Sequence, residues 1–283
     1  MNDTGETFKA DVAALQFLVD AGMDVIIEAE PQNRLRPPEA APAAQPTAAP
    51  QPTPVMRDDA PRQRIVTEPP RRPEPIDSDR QAAETAAQLA PACKSLAELR
   101  AALEDFRGLA IRETATQLVF ADGNPEAEIM IVGEAPGREE DRIGKPFVGE
   151  SGKLLDRMLA AIGLDRTSVY ITNTVLWRPP GNRKPNPAET AAMLPFLIRH
   201  IELVQPKAMM LAGGAALSAL FGMEARITRE RGKWRDYPAS FGAVPLLPLY
   251  HPAYLLRQPS LKREAWADLR AFRKKCGELG IGS

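Results

Sequence analysis

The chain has 283 residues, 44% of them hydrophobic, and a formal net charge of −1, so it can fill one sizeable core and carries no overall bias towards a polyanionic partner. Its two cysteines, Cys93 and Cys276, lie far apart without ligand-like spacing, which argues against a disulfide framework and a cysteine-built metal site and fits a reducing, cytoplasmic setting. No stretch approaches the ~18–20 continuous apolar residues of a membrane helix, and the opening MNDTGETFKADV lacks the basic flank and apolar run of a signal peptide.

In chain order, residues 8–28 carry apolar positions at helical spacing and make residues 1–30 an N-terminal helical segment. Its apolar face packs on the main domain or on a repair or replication partner. Thirteen of the 28 prolines fall between Pro31 and Pro75, among alanine and glutamine without apolar periodicity. Such a segment buries too little surface to offset its ordering entropy, so residues 31–78 read as a disordered or extended linker. The globular domain is then 79–283, an ordinary domain size.

Within it, Arg80–Phe106 is helical, with Ser95 a cap before LAELRAALEDF. EIMIVG, SVYITNT, KAMMLAGG and the shorter PLLPLYHP read as buried strands, separated by helices in SGKLLDRMLAAIG, from Asn186-Pro187 to about Val204, and in AALSALFG. LKREAWADLRAFRKKC closes the domain as a helix. This alternation predicts an α/β fold, a three-layer α/β/α sandwich around a four-stranded parallel sheet. Ligands in such folds bind beyond the C-terminal strand ends, and every unusual motif of this chain falls there.

The first strand runs into GEAPGREEDRIGKPFVGESG, whose glycines permit sharp turns and close approach to a ligand. Gly133 and Ala135 line the strand end. Glu134, Glu140 and Asp141 place carboxylates beside it, either as catalytic groups or as part of a solvated charged loop. The spacing matches neither phosphate-cradling pattern, GxxxxGK[ST] or GxGxxG. Phe147 is either a core plug or a flat platform for a planar ring. Asn173 ends the second strand, where its carboxamide either caps a turn or reads a base edge. Pro179 stiffens the following RPPGNRKPNP run, and Arg183 adds phosphate-seeking charge. His251 ends the last strand in HPAYLLR, whereas His200, the other histidine, lies mid-helix as a structural residue. Leu255, on what reads as an exposed loop near Arg257 and Lys233, either tucks inward or forms a wedge on a DNA-binding surface.

GEAPG…ED…GKPFVG, VYITN…WRPPGNR, RGKW and HPAYLLR together resemble the uracil-DNA glycosylase superfamily over about Leu118–Trp266, most nearly its bacterial and archaeal iron–sulfur branch. The resemblance implies uracil-containing DNA as partner and a monomeric hydrolase that flips the base out of the duplex. It implies stacking on Phe147, reading by Asn173, leaving-group stabilisation by His251, water positioning by Glu134, Glu140 or Asp141, and Leu255 as the wedge. It also exposes a departure. Where that branch places its third and fourth cluster cysteines this chain has Trp177 and Met193, and Cys93 is at most a relic of the first pair. A cluster-less variant follows, with no metal and with Trp177 and Met193 packed apolarly. A uracil-trapping relative carries a histidine-bearing insertion before PFVG. Here only Arg142 and Ile143 separate the acids from GKPFVG, so turnover is expected. Two alternatives stay open: a non-catalytic nucleic-acid-binding module on the same fold, and a glycosylase for another deaminated base, since Gly137 stands where a bulkier residue excludes thymine's methyl group in the better-known branch.

Overall fold

The computed structural model describes residues 77–222 and 224–281. The expected helix at 8–28 and nearly all of the linker lie outside the described residues. The first helix, α1 (Asp77–Ala92), starts just inside the expected linker, and α2 (Leu96–Asp105) follows it, so the single helical stretch read at 80–106 is two helices. Ser95 separates them and accepts a hydrogen bond from the Glu98 amide at 3.2 Å, an N-cap that supplies one of the partners the first turn lacks.

After a short helix, α3 (Ile111–Thr114), come β1 (Asp122–Gly123), β2 (Ile129–Gly133), α4 (Arg138–Ile143), α5 (Glu150–Ala160) and β3 (Tyr170–Asn173). The chain continues through α6 (Pro187–Val204), β4 (Ala208–Ala212), α7 (Gly214–Phe221), α8 (Ile227–Glu230), β5 (Arg235–Ala239), β6 (Gly242–Leu249), α9 (Pro252–Arg257) and α10 (Lys262–Glu278).

The sheet has six strands in the order β1-β3-β2-β4-β6-β5, not four. The expected parallel four form its centre, β3-β2-β4-β6, with Ile131 opposite Ile171 and Met210, and Met210 opposite Leu247. The two additions are antiparallel edges. Edge position explains why they escape pattern reading. β1 has only two residues, and β5 (RDYPA) carries charges and Pro238, which a strand tolerates only where one side has no partner.

Alternate residues of β2 feed opposite faces. Ile129 and Ile131 pack with Leu155 and Leu159 of α5 and with Leu269 and Phe272 of α10; Met130 and Val132 pack with Leu197 and Ile201 of α6 and Leu217 of α7. Helices therefore cover both faces, and each such burial is worth about 1.5–3 kcal/mol. A further apolar cluster joins α1, α2 and α6 around Phe106 and Phe196. Asn186 and Glu189 form a reciprocal capping box at the start of α6.

Candidate active site

The four parallel strands end at one edge, and the loops beyond them enclose a cavity of about 760 Å³. Glu134, Ala135, Phe147 and Asn173 line it from the segments after β2 and β3, and His251, Tyr254 and Arg257 line it from the segment after β6. Gly133 ends β2 beneath the first group. A β-carbon there would overlap Asn173 Oδ1 and lie 2.7 Å from the Phe147 ring, so only glycine lets amide and ring close over the strand end.

Phe147 holds a left-handed backbone, φ +54°, which costs a non-glycine residue about 1–3 kcal/mol and persists only where neighbours enforce it. Arg166, in the turn before β3, donates to the carbonyls of Phe147 and of Pro146 (3.3 Å) and is held by Asp122 (2.6 Å) and Asp156 (2.9 Å). Burial alone would raise the Asp122 carboxyl; the Lys145 ammonium and the Arg166 guanidinium more than reverse this and keep it below the usual range. Gly152 leaves room for the Phe147 carbonyl, which a β-carbon would overlap. The ring packs against His251, with centroids 5.5 Å apart and planes 25° apart.

Asn173 is 3% exposed, and among the described residues nothing hydrogen-bonds its carboxamide, which borders the cavity. His251 is the N-cap of α9: its Nδ1 accepts from the Ala253 amide at 3.1 Å. In the neutral ring the proton must then sit on Nε2. Burial, helped by the charge of Arg257 and opposed by Glu140, pushes its pKa down to about 4. The wall thus presents a neutral imidazole. His200 is a buried residue of α6 bonded to the Tyr170 hydroxyl at 2.8 Å.

The three carboxylates expected here separate. Glu140 borders the cavity, but Oε1 accepts the amides of Val148 (3.0 Å) and Gly149 (2.9 Å), and Oε2 accepts that of Gly137 (3.1 Å). It ties the two glycine-rich turns together. Asp141 does not reach the cavity; it accepts the amide (2.8 Å) and hydroxyl (2.9 Å) of Thr116. Glu134 borders the cavity; its backbone carbonyl accepts from the Val175 amide, and its carboxylate has no partner among the described residues. The charged loop containing Glu140 and Asp141 is the helix α4, ended by Gly144 at φ +81°. Gly137 adds no side chain to the wall, and a β-carbon there would sit 2.7 Å from Glu140 Oε2.

The expected DNA-facing residues sort as sharply. Leu255 is 1% exposed, because HPAYLLR is a helix rather than a loop and its inner face packs in the core; Leu256, beside it, is 40% exposed. Pro179 is buried. Arg183 borders the cavity but forms a two-pronged pair with Glu189 (2.6 and 2.8 Å), fastening its loop to α6. Lys233 lies off the cavity, 3.7 Å from Glu230, and Arg231 and Arg235 are tied to Asp268 and Glu230. Arg257 and Arg226 are exposed at the cavity with no ion pair among the described residues. Sequence reading missed the brace formed by Arg166 and Asp122, because the partners of Arg166 lie 10 to 44 positions away and no local pattern marks it.

The family model for the uracil DNA glycosylase superfamily matches residues 120–270. The chain belongs to this superfamily. A type-4 uracil-DNA glycosylase of Archaeoglobus fulgidus is 38% identical over 65% of the chain and 95% of its own length. Type-4 uracil-DNA glycosylases of Thermotoga maritima (42% identical, over 57% of the chain and 86% of the relative) and Sulfurisphaera tokodaii (40%, 56% and 74%) are also similar. The matched region spans the whole sheet and every cavity residue named above.

The residues present do not fit the iron–sulfur cluster that the resemblance implies. The indole of Trp177 and the thioether of Met193, at the positions where the resemblance places thiolates, are buried in the apolar cluster that also holds Cys93. A single thiol cannot hold a cluster that takes four. Among the described residues no three His, Cys, Asp or Glu side chains gather as a metal site, and no helix is long and apolar enough to cross a membrane.

Proposed function

We propose that this chain hydrolyses the bond between uracil and deoxyribose in DNA, leaving an abasic site and requiring no cluster. The observation that carries the reading is the convergence of Phe147, Asn173 and His251 on one cavity from three separate loops, alongside relatives named for this activity. A simple binding module has no need of that trio.

A base inside a duplex is out of reach and must be flipped into the cavity. Its plane rests on the cavity side of the Phe147 ring. The Asn173 carboxamide donates to O4 and accepts from N3–H; cytosine offers the reverse pattern and leaves buried polar groups unpaired, a penalty that reaches ~10⁴-fold. As the glycosidic bond breaks, negative charge gathers on O2, and the Nε2–H of the neutral His251 donates to it. Glu134, the one carboxylate of the three left free, orients the attacking water. Leu256 takes the wedge role expected of Leu255, and Arg226 and Arg257 grip phosphates on either side. We place the enzyme in the cytoplasm, acting as a monomer, and assign residues 1–30 to contact with a repair or replication partner.

Incubation with uracil-containing DNA, scoring abasic sites against hypoxanthine- and xanthine-containing controls, tests the activity. Abasic sites at uracil are expected; intact DNA, despite binding, would leave only a binding module.

A further inference from the structure

Helix α10 pairs its acidic residues and leaves one strip of its cations unpaired. Glu264 and Asp268 turn inward to Arg231 (3.2 and 2.5 Å), Glu264 also accepts from the Tyr250 hydroxyl (3.0 Å), and Glu278 pairs with Lys275 (3.3 Å). At 3.6 residues per turn, Arg263, Trp266, Arg270 and Lys274 share the opposite strip, all four exposed, behind the buried Ala265, Leu269, Phe272 and Cys276. Among the described residues none of those three cations has an ion-pair partner. Trp266 is 42% exposed, a large apolar ring left in water between unpaired arginines.

The strip begins near the cavity. Tyr250, one residue past β6, bonds to the first turn of α10, which therefore sits at the sheet edge that carries the site. Residues 258–260, between Arg257 at the cavity and the start of α10, are all exposed. Unpaired cations alternating with a flat aromatic suit one class of ligand, a flexible polyanion bearing planar rings.

We propose that Arg263, Trp266, Arg270 and Lys274 form a second DNA-binding surface, which holds a single-stranded flank leading away from the extruded nucleotide. The cations meet phosphates, and the indole stacks on an unpaired base. The choice of DNA rests on the glycosylase reading above. None of the four residues touches the cavity, so the surface raises affinity without entering the chemistry.

The test compares the parent protein with R263E/R270E/K274E and with W266A on labelled uracil-containing single strands of about 10 and about 25 nucleotides. For the longer strand, the triple variant should bind at least about tenfold more weakly, and its log–log salt slope should flatten by about 2. W266A should lose about tenfold there without changing the slope. The saturating single-turnover rate and the melting temperature should match the parent for both variants, and the shorter strand should be affected least. A folded triple variant that keeps the parental affinity and slope overturns the proposal, including the case in which the strip binds an acidic protein instead. If the parent binds the long strand through the strip but forms no abasic sites, the glycosylase reading falls and the strip stands.

Discussion

The loop after β2 and the helix after β6 both border the cavity, meet where Phe147 stacks on His251, and are held by opposite means. The loop is fastened by side-chain charge: Glu140 gathers three amides, Asp141 binds Thr116, and Arg166 holds the carbonyls around Phe147. The helix is fastened by its own backbone and by the buried Leu255, which leaves Leu256 and Arg257 outside. On the loop side a charged residue is therefore more often a fastener than a reagent. On the helix side the exposed groups are free to meet a ligand.

Substitutions on the two sides should fail differently. The largest effect is expected on the helix side: His251→Ala should lower the single-turnover rate by about 10²–10³, the scale for removing one donor to developing charge, while DNA affinity, through the lost cap, falls far less. Full retained activity would remove His251 from leaving-group stabilisation. Next, Leu255→Ala should cost about 2–5 kcal/mol of stability in denaturant unfolding, as a core truncation, whereas Leu256→Ala should leave the unfolding midpoint unchanged and raise KM. The reverse pattern would return the wedge to Leu255.

On the loop side, Glu140→Gln should cost about 1–3 kcal/mol by leaving buried amides poorly satisfied, and Glu134→Gln should leave stability alone and slow cleavage. An unchanged single-turnover rate takes Glu134 out of water positioning.

Acid should act on the fold itself. His251 and His200, pushed down to about 4 and about 3, stay neutral in the fold, while an unfolded histidine titrates near 6.5. The unfolded chain therefore binds more protons below pH 6.5, and stability should fall progressively from there towards pH 4. Cleavage should show no inflection near 6.5. Melting temperatures and single-turnover rates across pH 4–8 check both statements, and a rate inflection near 6.5 would mean that His251 titrates as an ordinary exposed imidazole.

The central strands were legible because IMIVG, VYITN and AMMLA are continuous apolar runs ending in turn residues, and the Asn186-Pro187 start of α6 announces itself by cap and proline. The edge strands were not, since β1 is too short and β5 too polar to carry a period. Within the site, Asn173 and His251 could be picked out because each is an unusual residue type at a strand end, and Phe147 because it stands alone in a Gly/Pro-rich loop. The roles of the charges could not, because Glu134 and Glu140 look alike until their hydrogen bonds are traced. HPAYLLR misled for a related reason: six residues starting with proline carry too little periodicity to show that Leu255 and Leu256 point opposite ways.

The imidazole that ends the last strand also closes the helix bearing Leu256 and Arg257. On the reading proposed above, the group that meets the departing base and the groups that grip the strand are thereby joined through one short helix. Fraying of that turn would release the Ala253 amide, free Nδ1 to take up a proton and swing the ring, so that a loosened grip on the DNA and a silenced active site arrive as a single event.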